Sequence, residues 1–207
     1  MISGPHSHQH QQARLKTLNQ RLILSAKTTL PATQYHAFIK QITQVWESMK
    51  DEIGLRHSTH KNETAYLQIR SRTVGLAPFF TVLKAEFCTD SGSDAVIDGH
   101  LDRLQELIST VVGLQNDLVG LERDIAGSET CNIVILKARA RSGVSIAEAV
   151  EEVVRIHNQQ IIHAVEEFGG ILELFGKRSG YTLVAYSMLA FATRHFLWAS
   201  RAERYRV

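Results

Sequence analysis

The chain has 207 residues, of which 44% are hydrophobic and 21% charged, with a formal net charge of +2. That length fits one domain with a sizeable core, and that composition excludes wholesale disorder. The small net charge gives no basis for nucleic-acid binding, and two cysteines, Cys88 and Cys131, exclude a disulfide framework or a CxxC zinc site.

No run of about 18 apolar residues occurs, so no membrane span is expected. The free cysteines favour a reducing, cytoplasmic setting. Residues 1–12, where His6, His8 and His10 alternate, read as a flexible N-terminal tail, and residues 13–207 as the folded helical domain. Metal capture by the tail is set aside, because unanchored histidines lack groups to orient them.

Leu15, Leu18, Leu22 and Ile23 predict a first helix over residues 11–27, closed by Pro31. A second follows over 32–52 through Phe38, Ile42, Val45 and Trp46, ending near Gly54. Residues 62–87 read as helical with a break at 74–78, because Gly75 and Pro78 interrupt the pattern and proline lacks a donor. Residues 90–94 form a loop; Asp90 and Asp94, with Asp98, are spaced like ligands but match no calcium loop, so they read as solvation and capping.

A long helix is predicted over 101–124. Ser145 and Glu148 form a capping box that starts another, running to about Glu167. Gly176 and Gly180 bracket a loop before residues 181–199, which are apolar nearly all round and are expected at a bundle's centre. No βαβ unit, hairpin signal or fixed-period repeat appears, so the fold class is all-α, a bundle of about six to eight helices.

Asn116, Gly120 and Asp124 recur every four residues and therefore share one stripe of a helix. Amide and carboxylate oxygens are hard ligands suited to Mg²⁺. Arg123 brings positive charge to an anion held there, a combination suggesting phosphate or diphosphate. The same residues also fit an ordinary solvated helix face.

The chain resembles the class I terpene synthases, particularly the microbial terpene cyclases, over what corresponds to their C-terminal two thirds. Asn116, Gly120 and Asp124 hold the positions of that family's second metal motif, usually Asn-Asp, then Ser, then Glu at four-residue steps. Gly120 has no hydroxyl and Asp124 is one methylene short of glutamate, so water would complete the coordination. Arg123 matches the basic position that contacts diphosphate. The segment from Tyr66 to Gly75 resembles the one carrying the family's diphosphate-sensing arginine, since Arg70 precedes the motif by 116 − 70 = 46 residues. Thr73 and Val74 then hold the linker and effector positions, beside the Gly75/Pro78 break. Without that match, Arg70 and Arg72 would read as surface decoration. Trp198, followed by Arg204-Tyr205, matches a C-terminal tryptophan and the Arg-Tyr pair that closes on diphosphate. Asn132 sits where the family has a His-Asn pair, and the sequence assigns it no role.

The resemblance implies a helical bundle of the class I terpenoid synthase type, N-terminally incomplete. The aspartate-rich first metal motif is missing from residues 1–115, where Asp51-Glu52 is the nearest acidic pair. It implies an Mg²⁺-dependent lyase that ionises an isoprenyl diphosphate, farnesyl or geranyl diphosphate, and cyclises the carbocation. The implied catalytic residues are Arg70, Thr73, Val74, Arg204 and Tyr205; Arg123 joins the arginines on the substrate. Phe79, Phe80 and Trp198 are the implied pocket lining, by cation–π attraction, although each also reads as core packing. The alternative is a truncated, catalytically impaired paralogue that keeps a diphosphate-binding or helical interaction surface. The oligomeric state stays open, a homodimer included.

Overall fold

The computed structural model describes residues 5–58, 62–88, 95–141 and 143–205. These residues form nine α-helices and no strand, in line with an all-α bundle. In order they are α1 (Pro5–Thr29), α2 (Ala32–His57), α3 (Glu63–Thr73), α4 (Ala77–Phe87), α5 (Ala95–Val119), α6 (Leu121–Ala126), α7 (Ile133–Ala140), α8 (Ile146–Phe175) and α9 (Gly180–Ala199), followed by a 3₁₀ turn at Glu203–Tyr205. No helix among the described residues is long and apolar enough to cross a membrane. The loop at 90–94 and the side chains of His6, His8 and His10 lie outside the described residues.

Helix α1 begins at Pro5 rather than near residue 11, and α2 runs through Gly54 to His57. The expected break after Thr73 is present. Gly75 turns the chain with φ +71, a conformation that side chains with a Cβ rarely adopt. Pro78 then sits in the first turn of α4, where its missing donor costs no helix bond. Asn62 caps α3 by accepting from the Thr64 and Ala65 N–H groups.

Helix α5 is the centre of the bundle and packs against α3, α4, α7, α8 and α9. Along most of its length Leu101, Leu104, Ile108, Val111 and Val112 are buried against Ala164 and Ile171 of α8, Val184, Ala185 and Met188 of α9, and Phe80 of α4. Towards its C-terminus Leu114 joins a second cluster with Tyr66, Ile133, Val134, Ala149 and Val153. Full burial of each large aliphatic side chain contributes about 1.5–3 kcal/mol, so both clusters hold α5 firmly.

Two expectations need correction. Helix α9 is not central: Leu183, Tyr186, Phe196, Leu197 and Trp198 are exposed, and its buried residues are Thr182, Val184, Ala185, Met188, Ala192 and Ala199. That side packs on the core, and the opposite side points outward. The helix expected over 101–124 is interrupted at Gly120, a poor helix former, so that α5 ends at Val119 and α6 is a separate short helix. Helix α7 was not anticipated, because eight residues carry barely two turns of periodicity. The capping box of α8 has both reciprocal hydrogen bonds, and the helix continues past Glu167 to Phe175.

A glycine joins α4 to α9. A Cβ on Gly180 would stand 1.8 Å from the Phe87 carbonyl oxygen, so this approach of backbone to backbone admits no side chain.

Candidate functional site

The metal stripe lies where α5 gives way to α6. Asp124 is buried, and its Oδ1 accepts from Arg123 Nε at 3.0 Å while Arg123 Nη2 also donates to that oxygen. Its Oδ2 accepts from Asn132 Nδ2 at 3.0 Å. Asn116 Oδ1 accepts from the Tyr205 hydroxyl. The Arg123 guanidinium stands 5.3 Å from the centre of the Tyr205 ring, at cation–π distance, and Trp198 meets that ring edge-on at 6.1 Å. The C-terminal turn thus folds back onto the stripe and brings together Asn116, Gly120, Arg123, Asp124, Trp198 and Tyr205. Arg204 belongs to the same turn, and its side chain lies outside the described residues.

The side-chain oxygens of Asn116 and Asp124 are of the kind that ligates a hard divalent cation, and each already accepts a hydrogen bond from the protein. A Cβ on Gly120 would lie 2.9 Å from the Asn116 main-chain carbonyl oxygen, 3.0 Å from Arg123 Nη2 and 3.5 Å from Asp124 Oδ2, so the missing side chain leaves a tight cradle bordered by all three. One carboxylate and one amide oxygen on a single stripe, with water in the remaining positions, is a donor set that Mg²⁺ accepts. Among the described residues no group of three or more His, Cys, Asp or Glu side chains could hold a metal. Asp124 is the one carboxylate of the stripe itself.

Arg70 is held by a residue the sequence reading missed. Asp117, 1% exposed, accepts on Oδ1 from Arg70 Nε at 3.0 Å and Nη2 at 2.9 Å. Its Oδ2 accepts from the Tyr66 hydroxyl at 2.6 Å and from the Ile133 N–H at 3.0 Å. The remaining Arg70 nitrogen, Nη1, lies 3.9 Å from Glu52 on α2. Burial pushes the Asp117 carboxyl above its ordinary value, against the pull of Arg70 and its hydrogen-bond donors. Burial and the Asp117 charge likewise raise Tyr66 well above 10, so its hydroxyl remains a donor. Gly113 makes room, since a Cβ there would be 3.1 Å from Arg70 Cγ.

One signal pointed to Asp117. It stands between Leu114, which is buried, and Leu118, which packs on the same cluster, and a charge in such a position needs a partner.

Thr73 donates to the Arg70 carbonyl at 3.2 Å, and Val74 packs against the core beside the break. The three expected lining residues do not converge. Phe79 is 66% exposed, Phe80 is 1% exposed in the core and edge-on to Phe191, and Trp198 is 52% exposed at the C-terminal turn. A cavity of about 440 Å³ beside Tyr205 is lined instead by Leu118, Val119, Glu122, Val150 and Ala199.

The all-helical bundle has the fold of class I terpene synthase structures. Residues 2–162 match the family model described as "Terpene synthase family 2, C-terminal metal binding", and the chain belongs to this family. That description implies a divalent metal. The chain is 26% identical over 144 residues to germacrene A synthase of Nostoc punctiforme, covering 68% of this chain and 43% of that protein. Its fold matches hedycaryol synthase in complex with nerolidol, with TM-score 0.67 and 20% identity over 81% of this chain and 58% of that one. It also matches a cucumene synthase variant, with TM-score 0.68 and 13% identity over 87% of this chain and 62% of that one. The chain thus spans less than two thirds of the length of each.

Proposed function

We propose that this chain binds the diphosphate group of an isoprenyl diphosphate, farnesyl or geranyl diphosphate, and acts as a terpene cyclase that releases diphosphate and cyclises the carbocation. The closure of Tyr205 onto Asn116, with Arg123 lying against the tyrosine ring, is the observation that carries this reading. The family match and the names of the relatives support it.

Asn116 and Asp124 would hold Mg²⁺ over Gly120. When bound, the ion neutralises charge developing on the leaving diphosphate. Arg123 adds a fixed cation beside it, and Arg204 is assigned to the same anion from its position in the C-terminal turn. Arg70 contributes through Nη1, the nitrogen with the weakest protein contact, while Asp117 keeps the rest of the guanidinium in position. The Tyr205 hydroxyl exchanges Asn116 for a diphosphate oxygen. The helix break after Thr73 supports the linker and effector roles that the resemblance implies for Thr73 and Val74. Donors placed in advance around a forming anion lower the barrier because they need not reorganise during bond cleavage.

A second reading, diphosphate binding without turnover, is favoured by the exposure of Phe79 and Trp198, since a carbocation needs a dry, enclosed wall. Incubation of the purified protein with Mg²⁺ and farnesyl or geranyl diphosphate separates the two. Terpene product with released diphosphate supports the cyclase; retained binding with neither product nor release supports the second reading and ends the catalytic one.

A further inference from the structure

We infer that Asn132 is a positioning residue for this site: its side-chain amide sets the Asp124 carboxylate and ties it to the segment that grips Arg70. Asn132 is fully buried. Its Oδ1 accepts from the Val134 N–H at 2.9 Å and so caps α7. That cap fixes which end of the amide is oxygen, and Nδ2 must face the other way. Its two hydrogens go to the Asp117 carbonyl at 2.8 Å and to Asp124 Oδ2 at 3.0 Å. The next residue, Ile133, donates its N–H to the Asp117 carboxylate that holds Arg70. Residues 132–133 therefore fasten the metal stripe and the Arg70 pair to one another.

Capping alone does not account for asparagine here. Serine or aspartate caps a helix equally well, but neither offers one acceptor and two donors at once. The amide keeps Asp124 Oδ2 in a fixed direction at the edge of the Gly120 cradle. Loss of such an orienting partner to a ligating group weakens metal affinity by about 10–100-fold.

The effect on the metal rests on the proposed function; the coupling of Asn132 to Asp124 does not. Asn132→Ser keeps a capping oxygen and replaces the two amide N–H donors with one hydroxyl on a shorter side chain. We expect Mg²⁺-dependent binding of inorganic diphosphate, followed by calorimetry, to weaken by about tenfold or more in this variant. Ser145→Ala, which removes the capping box of α8 away from the site, should lower the unfolding midpoint and leave that affinity unchanged. In metal-free urea unfolding, Asn132→Ser and Asp124→Asn should shift the midpoint non-additively. Wild-type affinity in Asn132→Ser, or additive shifts, overturns the inference. A wild-type protein that binds no diphosphate ends the proposed function, and the metal-free cycle then decides the role of Asn132 by itself. If Asn132→Ser does not fold, Asn132→Thr, which also offers a capping oxygen and no amide N–H, is measured against the same two outcomes.

Discussion

Tyr205 and Asn116, separated by 89 residues in the chain, meet in a hydrogen bond from the tyrosine hydroxyl to the asparagine side-chain oxygen. Through it the last described turn is fastened to the end of α5, and a metal-ligand candidate is held by the same residue expected to meet the diphosphate. The Tyr205 ring, buried against Arg123 and Trp198, makes the fastening more than one bond.

Tyr205→Phe removes only the donor and should cost about 1 kcal/mol of stability, the net worth of an ordinary hydrogen bond. Tyr205→Ala also removes the ring under Arg123 and beside Trp198, and should cost clearly more. Urea unfolding of the two variants beside wild type measures the difference; equal costs would mean that the ring contributes nothing.

Arg70 and Asp117 form a pair in which each depends on the other. Asp117→Asn leaves a largely buried guanidinium without its nearest counter-charge, with Glu52 3.9 Å from Nη1 as the remaining one, and should destabilise by about 3 kcal/mol. Arg70→Lys should also destabilise, because a single ammonium cannot reproduce the contacts of Nε and Nη2 on one oxygen. The urea midpoint reads both.

Much of this was legible from the residues, and the reasons for what was not are physical. The Gly75/Pro78 break, the α8 capping box and the Asn116–Asp124 stripe are written in local chemistry, where one or two residues decide the backbone. The partners of Asp117 were not, because Tyr66 and Arg70 on α3 and Ile133 on α7 reach it only after folding. The position of α9 misled for a related reason: apolar composition gives no direction, and packing decided which face was buried. Lys137 makes the same point. It is almost fully buried, yet it is satisfied by Glu63 at 2.7 Å and Glu152 at 2.8 Å from two other helices.

That cluster has a pH signature. Its hydrogen bond with Lys137 holds the Glu152 carboxyl below its ordinary 4.5, so Glu152 contributes stability that is complete above about pH 4.5 and is lost as pH falls through the lower folded value. Lys137, with burial outweighed by its two glutamates, is held above its ordinary 10.5. Its contribution is complete below that value and is lost as pH rises through the folded one. The stability gap between wild type and Glu152→Gln should therefore close in acid and stay open at neutral pH. A gap that is the same at pH 3 as at pH 7 would refute the assignment.

Gly180→Ala should be among the most damaging small substitutions in the chain. The added methyl meets the Phe87 carbonyl oxygen at 1.8 Å, and neither backbone can yield without moving α4 from α9. A loss of about 1–3 kcal/mol or more is expected, seen as a lower unfolding temperature. Gly169→Ala in α8, where a Cβ meets nothing within 4 Å, is the matched control and should be neutral or stabilising.

The most direct test of the site is calorimetric titration of the wild-type protein and of Asp124→Asn with inorganic diphosphate, with and without Mg²⁺. The stripe predicts binding that requires Mg²⁺ and weakens by about tenfold or more when the carboxylate bordering the Gly120 cradle loses its charge. Binding indifferent to Mg²⁺, or equal in the two proteins, would contradict the assignment of Asn116 and Asp124 as the metal ligands.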